Sequence, residues 1–168
     1  PKNALFYSCC PETGDFSAAM EYPYNKADIT YMNTEYKDFP LPKLVFGFKV
    51  AGKKIKKVYL GITGNGILRE SSLMYTYPFS NVSKDFVLCT GGNALPEIKS
   101  PYSLSNMPDY ILSLPDNDDY YNIRHNRLEL GHRELMEHLA DKSPEHYYSD
   151  ILIPSGKTLS DFYREVAL

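Results

Sequence analysis

The chain is 168 residues long, 43% hydrophobic and 23% charged, with a formal net charge of −3. These values suit one globular domain with a sizeable core, and the acidic balance argues against a general nucleic-acid binder, which carries a basic face. No apolar run reaches membrane-spanning length, the opening Pro-Lys-Asn-Ala is no signal peptide, and three cysteines make no disulfide framework, so no membrane partner and a cytoplasmic location are expected.

Leu5-Phe6-Tyr7 predicts a short strand ending at Cys9-Cys10-Pro11. Two adjacent thiols lack the further ligands of a tetrahedral site, so no metal and no cofactor is expected. From Phe16 to Phe39 the chain is polar and rich in tyrosine. An extended piece around Ile29, Tyr31 and Met32 is terminated by the run from Asp38 to Pro42. Residues 1–40 are thus expected as an N-terminal extension of the sheet of a single domain, 1–168.

Leu44 to Val50 is the best strand signal, Ala51 to Lys54 reads as its turn, and Ile55 to Ile62 completes a hairpin. Lys53, Lys54, Lys56 and Lys57 read either as a patch for an acidic partner or as a solvated edge that discourages aggregation. Gly61-x-x-Gly64-x-Gly66 lacks the Gly-Lys-Ser/Thr ending of a phosphate loop and reads as a turn. Leu73 to Tyr77 is the third strand, which makes an antiparallel meander.

After Gly92 the patterning becomes helical. Pro96 and Pro101 punctuate a connector, and Ser105 to Leu114 predicts a short helix with Pro108 in its first turn. Pro115-Asp116-Asn117-Asp118-Asp119 is an acidic loop. Leu128, Leu130, Leu135, Met136 and Leu139 form a helical face that Ser143-Pro144 stops. Tyr147 to Ile153 reads as extended, and Thr158 opens a terminal helix carrying Leu159, Phe162, Tyr163 and Val166. Strands first and helices later define an α+β fold.

Between the two halves stands Tyr77 to Gly92, YPFSNVSKDFVLCTGG. Asn81 precedes Cys89 by eight residues, and Cys89 sits at the edge of a Gly-Gly turn. Two readings fit. In one, Cys89 is an accessible nucleophile with an amide donor at hand. In the other, Cys89 is a small buried hydrophobe and Asn81 supplies turn geometry.

The stretch resembles the active-site segment of ubiquitin-conjugating (E2) enzymes, in which an Asn stands eight residues before the catalytic cysteine. The His that precedes this Asn in most E2 enzymes is missing. The nearer resemblance is to bacterial E2-like family D, the family of PRTRC system protein B. It rests on Pro78-Phe79-Ser80-Asn81-Val82 and Leu88-Cys89, with looser support from Pro42 to Phe46, Leu73-Met74-Tyr75, Gly131-His132 and Ile151 to Pro154.

The resemblance implies a UBC-like fold, an antiparallel meander followed by a cysteine-bearing loop and C-terminal helices. It implies that Cys89 carries a ubiquitin-like protein as a thioester and passes it to an amine, with Asn81 stabilising the oxyanion. Asp85, or the Asp116 to Asp119 cluster with Asp119 at its end, would orient the amine, and either also reads as a solvated loop. His125 and His132 fall where family members carry histidines; His132 reads equally as an exposed residue among Glu129, Arg133 and Glu134. The implied partners are a ubiquitin-like protein, an E1-like adenylating enzyme and a JAB-type metalloprotease. Two other classes compete, a non-catalytic E2-like adaptor and an unrelated cysteine hydrolase built on a Cys-His pair.

Overall fold

The architecture was obtained as a computed structural model, which describes residues 1–23 and 25–168. The fold is α+β: a curled antiparallel sheet with a few helices, which among the described residues all lie after residue 100. The strands are β1 (Ala4–Cys9), β2 (Phe16–Tyr22), β3 (Lys26–Tyr31), β4 (Thr34–Pro40), β5 (Leu44–Ala51), β6 (Lys54–Thr63), β7 (Leu73–Tyr75), β8 (Val87–Leu88) and β9 (Pro154–Thr158). The helices are α1 (Met107–Leu112), α2 (His132–Leu139) and α3 (Leu159–Val166). No helix among the described residues is long and apolar enough to cross a membrane.

The main sheet runs β1-β2-β5-β6-β7-β9, with β8 also on β6, and β3 pairs β4 apart from it. The expected hairpin is β5 and β6, with Phe46 opposite Leu60 and Gly47 opposite Tyr59. The third strand stops at Tyr75, two residues early, because the Thr76 amide turns to the Ile153 carbonyl and Pro78 has no amide to give.

β2 corrects the reading of Phe16 to Phe39 as polar: the first seven residues of that stretch are a buried strand of the main sheet. Phe16-Ser-Ala-Ala-Met-Glu-Tyr22 is buried almost throughout and pairs on both sides, with β1 and with β5. Alanine, serine and glutamate are poor strand formers on their own. Here the small side chains fit because both faces of the sheet are covered.

Alternate residues face two different layers. Phe46, Phe48, Leu60 and Ile62 point into the larger core with the β3–β4 hairpin, α1 and α2. Ala19, Val45 and Tyr59 point the other way, onto Leu159, Phe162 and Val166 of α3. A sheet buried on both sides reads as continuous apolar runs rather than an alternating pattern. Gly47 and Gly61 lie directly under α3, and a Cβ there would run into Val166 and Met74 respectively. Gly61 is therefore a strand residue of close approach, and only Gly64 and Gly66 lie in the expected turn.

Two further expectations need correction. Leu128 and Leu130 precede α2 instead of joining it: buried Asn126 holds this stretch by donating to the Leu130 carbonyl (3.1 Å) and accepting from the Leu130 amide (3.0 Å). Tyr147–Ile151 is one π-helical turn rather than an extended piece. The Tyr147 hydroxyl donates to the Pro40 carbonyl at 2.8 Å, a tertiary bond that anchors the turn to β4. The start of α3 is as expected, with Asp161 accepting from the Thr158 amide at 2.8 Å in a capping box.

Candidate functional site

The segment after β7 enters the core first. Phe79 is buried with its ring against Tyr77, Phe39 and Tyr147. Asn81 then adopts a left-handed backbone (φ 64°), which Asn tolerates better than most residues, and the chain reverses. Ser83 is the hub of the turn. Its hydroxyl accepts from the Asp85 and Val87 amides at 3.3 and 3.2 Å, and its own amide donates to the Val87 carbonyl at 2.9 Å. The loop closes where the Cys89 amide donates to the Asn81 carbonyl, 2.7 Å away. The eight-residue spacing thus has a geometric meaning: Asn81 and Cys89 are the two ends of one closed loop.

Beside that closure lies a groove of about 80 Å³. Leu60, Phe79, Ile111 and Met136 contribute apolar walls, and Asn81, Cys89, Asp116 and Asp119 contribute polar ones. Cys89 is exposed. No Lys, Arg or His among the described residues lines the groove.

Asp116 is the acid that sequence reasoning did not separate from its neighbours. Its Oδ1 accepts from the Asn81 side-chain amide at 2.9 Å. Its backbone is tied to the β3–β4 hairpin: its amide donates to Thr30 and its carbonyl accepts from Met32. Burial pushes the Asp116 carboxyl up to about 6, against the opposing bond from Asn81. Composition gives no sign of this, because Asp118 and Asp119 have the same side chain in the same loop. Asp119 lines the groove and accepts the Asn81 amide with its carbonyl at 2.7 Å.

The other anticipated residues lie elsewhere. Asp85 sits at the far end of the loop, paired with Lys157 at 3.1 Å, and does not line the groove. His125, in a short turn at Ile123–His125, lines a second cavity instead. His132 is buried, which overturns its reading as an exposed residue among charges. Its ring stacks on Tyr121 with centroids 4.4 Å apart, and its Nδ1 donates to Asp118 at 2.9 Å. Its Nε2 is buried without a partner, and burial holds its pKa below the usual value for histidine. Neither histidine lines the groove.

No protein-family model, curated protein or solved structure matches the chain. The site must be read from its own chemistry. Among the described residues no group of three or more His, Cys, Asp or Glu is placed to hold a metal ion. What the groove offers is an exposed thiol, a tethered amide, two carboxylates and apolar walls. Such a set suits acyl transfer through sulfur, in which an amide donor meets a developing oxyanion and a carboxylate receives a cationic amine.

Proposed function

We propose that the chain is an E2-like conjugating acyltransferase with a UBC-like fold, in which Cys89 carries a ubiquitin-like protein. The observation that carries this reading is the closure of Asn81 on Cys89 at the mouth of one groove, with the thiol exposed. The order of elements agrees with it: the meander β5–β6–β7, then the cysteine loop, then helices.

The reaction has two steps. The Cys89 sulfur attacks the thioester between a ubiquitin-like protein's C-terminal carbonyl and a cysteine of an E1-like enzyme. A new C–S bond forms and the E1 thiol leaves. An uncharged amine then attacks the same carbonyl, the C–S bond breaks, the product is an amide, and Cys89 recovers its proton. The thioester is already activated, so an ordinary exposed thiol suffices for the first step. The second needs an oxyanion donor, and Asn81 takes that role. Asp119, and Asp116 behind it, give the groove the negative character an incoming ammonium group seeks before it loses its proton. The E1-like enzyme, the ubiquitin-like protein, a JAB-type metalloprotease that reverses the modification, and a cytoplasmic setting belong to the same proposal.

One observation favours a second reading, an adaptor that binds a ubiquitin-like protein without chemistry. Asn81 is only 7% exposed, and its amide is already held by Asp116. One experiment separates the two: incubation with the E1-like partner, ATP and the ubiquitin-like protein. The enzyme reading expects a reductant-sensitive adduct that Cys89→Ala abolishes and Cys89→Ser converts to a thiol-resistant ester. Tight binding with no adduct selects the adaptor, and an adduct that survives Cys89→Ala sinks the assignment of the cysteine.

A further inference from the structure

The loop that closes on Cys89 borders two cavities of different charge character. The groove on the Cys89 side is bordered by Asp116 and Asp119 and by no cation among the described residues. On the other side lies an open cavity of about 270 Å³, bordered by Lys84, Arg124, His125 and Lys157 and by no acid among the described residues. Lys84, Arg124 and Lys157 are its cations, and burial lowers the pKa of His125, which makes that ring a polar neighbour rather than a charge.

We propose that this second cavity binds a phosphate group. Three observations carry the assignment. First, the cations are not consumed by the protein: among the described residues, no hydrogen bond, ion pair or ring contact engages the Lys84 ammonium or the Arg124 guanidinium. Second, the cavity is built around a fixed cation. Lys157 Nζ donates to the Lys84 carbonyl at 2.7 Å and to Asp85 at 3.1 Å, and lies 4.9 Å from the centre of the Phe86 ring. Asp85 is therefore already held by the lysine that frames the wall. Third, Ser83 Oγ accepts two backbone amides, which leaves its hydroxyl hydrogen free to donate.

The donor count selects the ligand class. A phosphate brings three strong acceptor oxygens and close to two negative charges. The Lys84 ammonium, the Arg124 fork and the Ser83 hydroxyl supply matching donors on one cavity. The Arg124 fork holds two phosphate oxygens at once, the geometry in which arginine outperforms a point charge. A single carboxylate would leave part of this set unused. The cavity shares Leu60 and Tyr77 with the groove but neither Cys89 nor Asn81, so its polar groups are distinct from those of the thioester chemistry.

The test titrates the 168-residue chain with sodium phosphate, with ionic strength held constant by sodium chloride, and follows backbone amides by NMR. Saturable shifts confined to Ser83, Lys84, Phe86, Arg124, His125 and Lys157 are expected. Arg124→Gln and Lys84→Gln, both exposed and without protein partners, should each weaken binding about tenfold and leave the remaining spectrum in place. Cys89→Ser should change nothing, which separates this cavity from the groove. Pyrophosphate should bind at least as well as phosphate. Shifts that fail to saturate, that chloride alone reproduces, that acetate matches at equal ionic strength, or that survive in the Arg124→Gln, Lys84→Gln double variant each overturn the proposal.

Discussion

Asp116 holds the side-chain amide of Asn81 at 2.9 Å while the backbone carbonyl of the same Asn81 holds the amide of Cys89 at 2.7 Å. One residue thus ties a half-buried carboxylate to the backbone of the residue that carries an exposed thiol. Any change at Asn81 acts on the loop and on the groove together, so the two effects have to be pulled apart by design.

Replacing Asn81 by Ala and by Gly does this. Both lose the amide, but Gly accepts the left-handed backbone and Ala resists it by about 1 kcal/mol. Asn81→Gly should melt at a higher temperature than Asn81→Ala. If the amide serves the oxyanion, both should slow discharge to lysine by roughly a hundredfold and loading of Cys89 far less. Loading and discharge that slow equally, in proportion to lost stability, would instead mark Asn81 as a turn residue.

Asp116 makes stability fall as pH rises. Its carboxyl stands at 3.8 when unfolded and at about 6 in the fold, so the folded state binds the extra proton between those values. Stability from this group is full below pH 4, declines through pH 6, and above that is lower by roughly 3 kcal/mol. Asp116→Asn should remove the decline and raise the melting temperature at pH 8. Chemical denaturation at several pH values checks it, and an unchanged slope between pH 4 and 6 refutes it.

His132 has the opposite sign. Burial lowers its pKa from the ordinary 6.5, so the unfolded chain takes a proton first and stability is lost as pH falls below 6.5. The Asp116 and His132 effects oppose each other over part of the acid range, and the wild-type curve alone shows only their sum. His132→Gln should specifically lose the acid-side decline, measured as the difference in unfolding free energy from wild type across pH 5 to 7.

Gly47 offers a test of packing without chemistry. A methyl group there collides with Val166, so Gly47→Ala must push α3 off the sheet or strain it. A cost of about 1–3 kcal/mol is expected, seen as a melting temperature lower by several degrees. Gly64→Ala, with open space around it and no left-handed backbone, is the control for glycine replacement as such.

How much of this was legible follows the range of the interactions. The β5–β6 hairpin announces itself through local β-branched and aromatic runs, and α3 through Thr158 and Asp161, three residues apart. The Asn81–Cys89 closure is local too, and its spacing is visible in the chain. β2 is not legible, because Ala18 and Ala19 favour a strand only when β1, β5 and α3 surround them. The turn at Tyr147 depends on a carbonyl at Pro40, 107 residues away. Asp116 differs from Asp118 and Asp119 through long-range bonds, its backbone to Thr30 and Met32 and its carboxylate to Asn81.

The helix that covers the rear of the sheet is built from residues 159–166, later in the chain than every strand it rests on. During synthesis β2, β5 and β6 are therefore complete while Ala19, Val45 and Tyr59 still face water, for the seconds a ribosome needs to reach Phe162. Through that interval the nascent protein presents an uncovered apolar surface, the kind of target on which a chaperone acts. Slowing translation just before residue 159 should lengthen the exposure, and premature termination there should leave a sheet that aggregates.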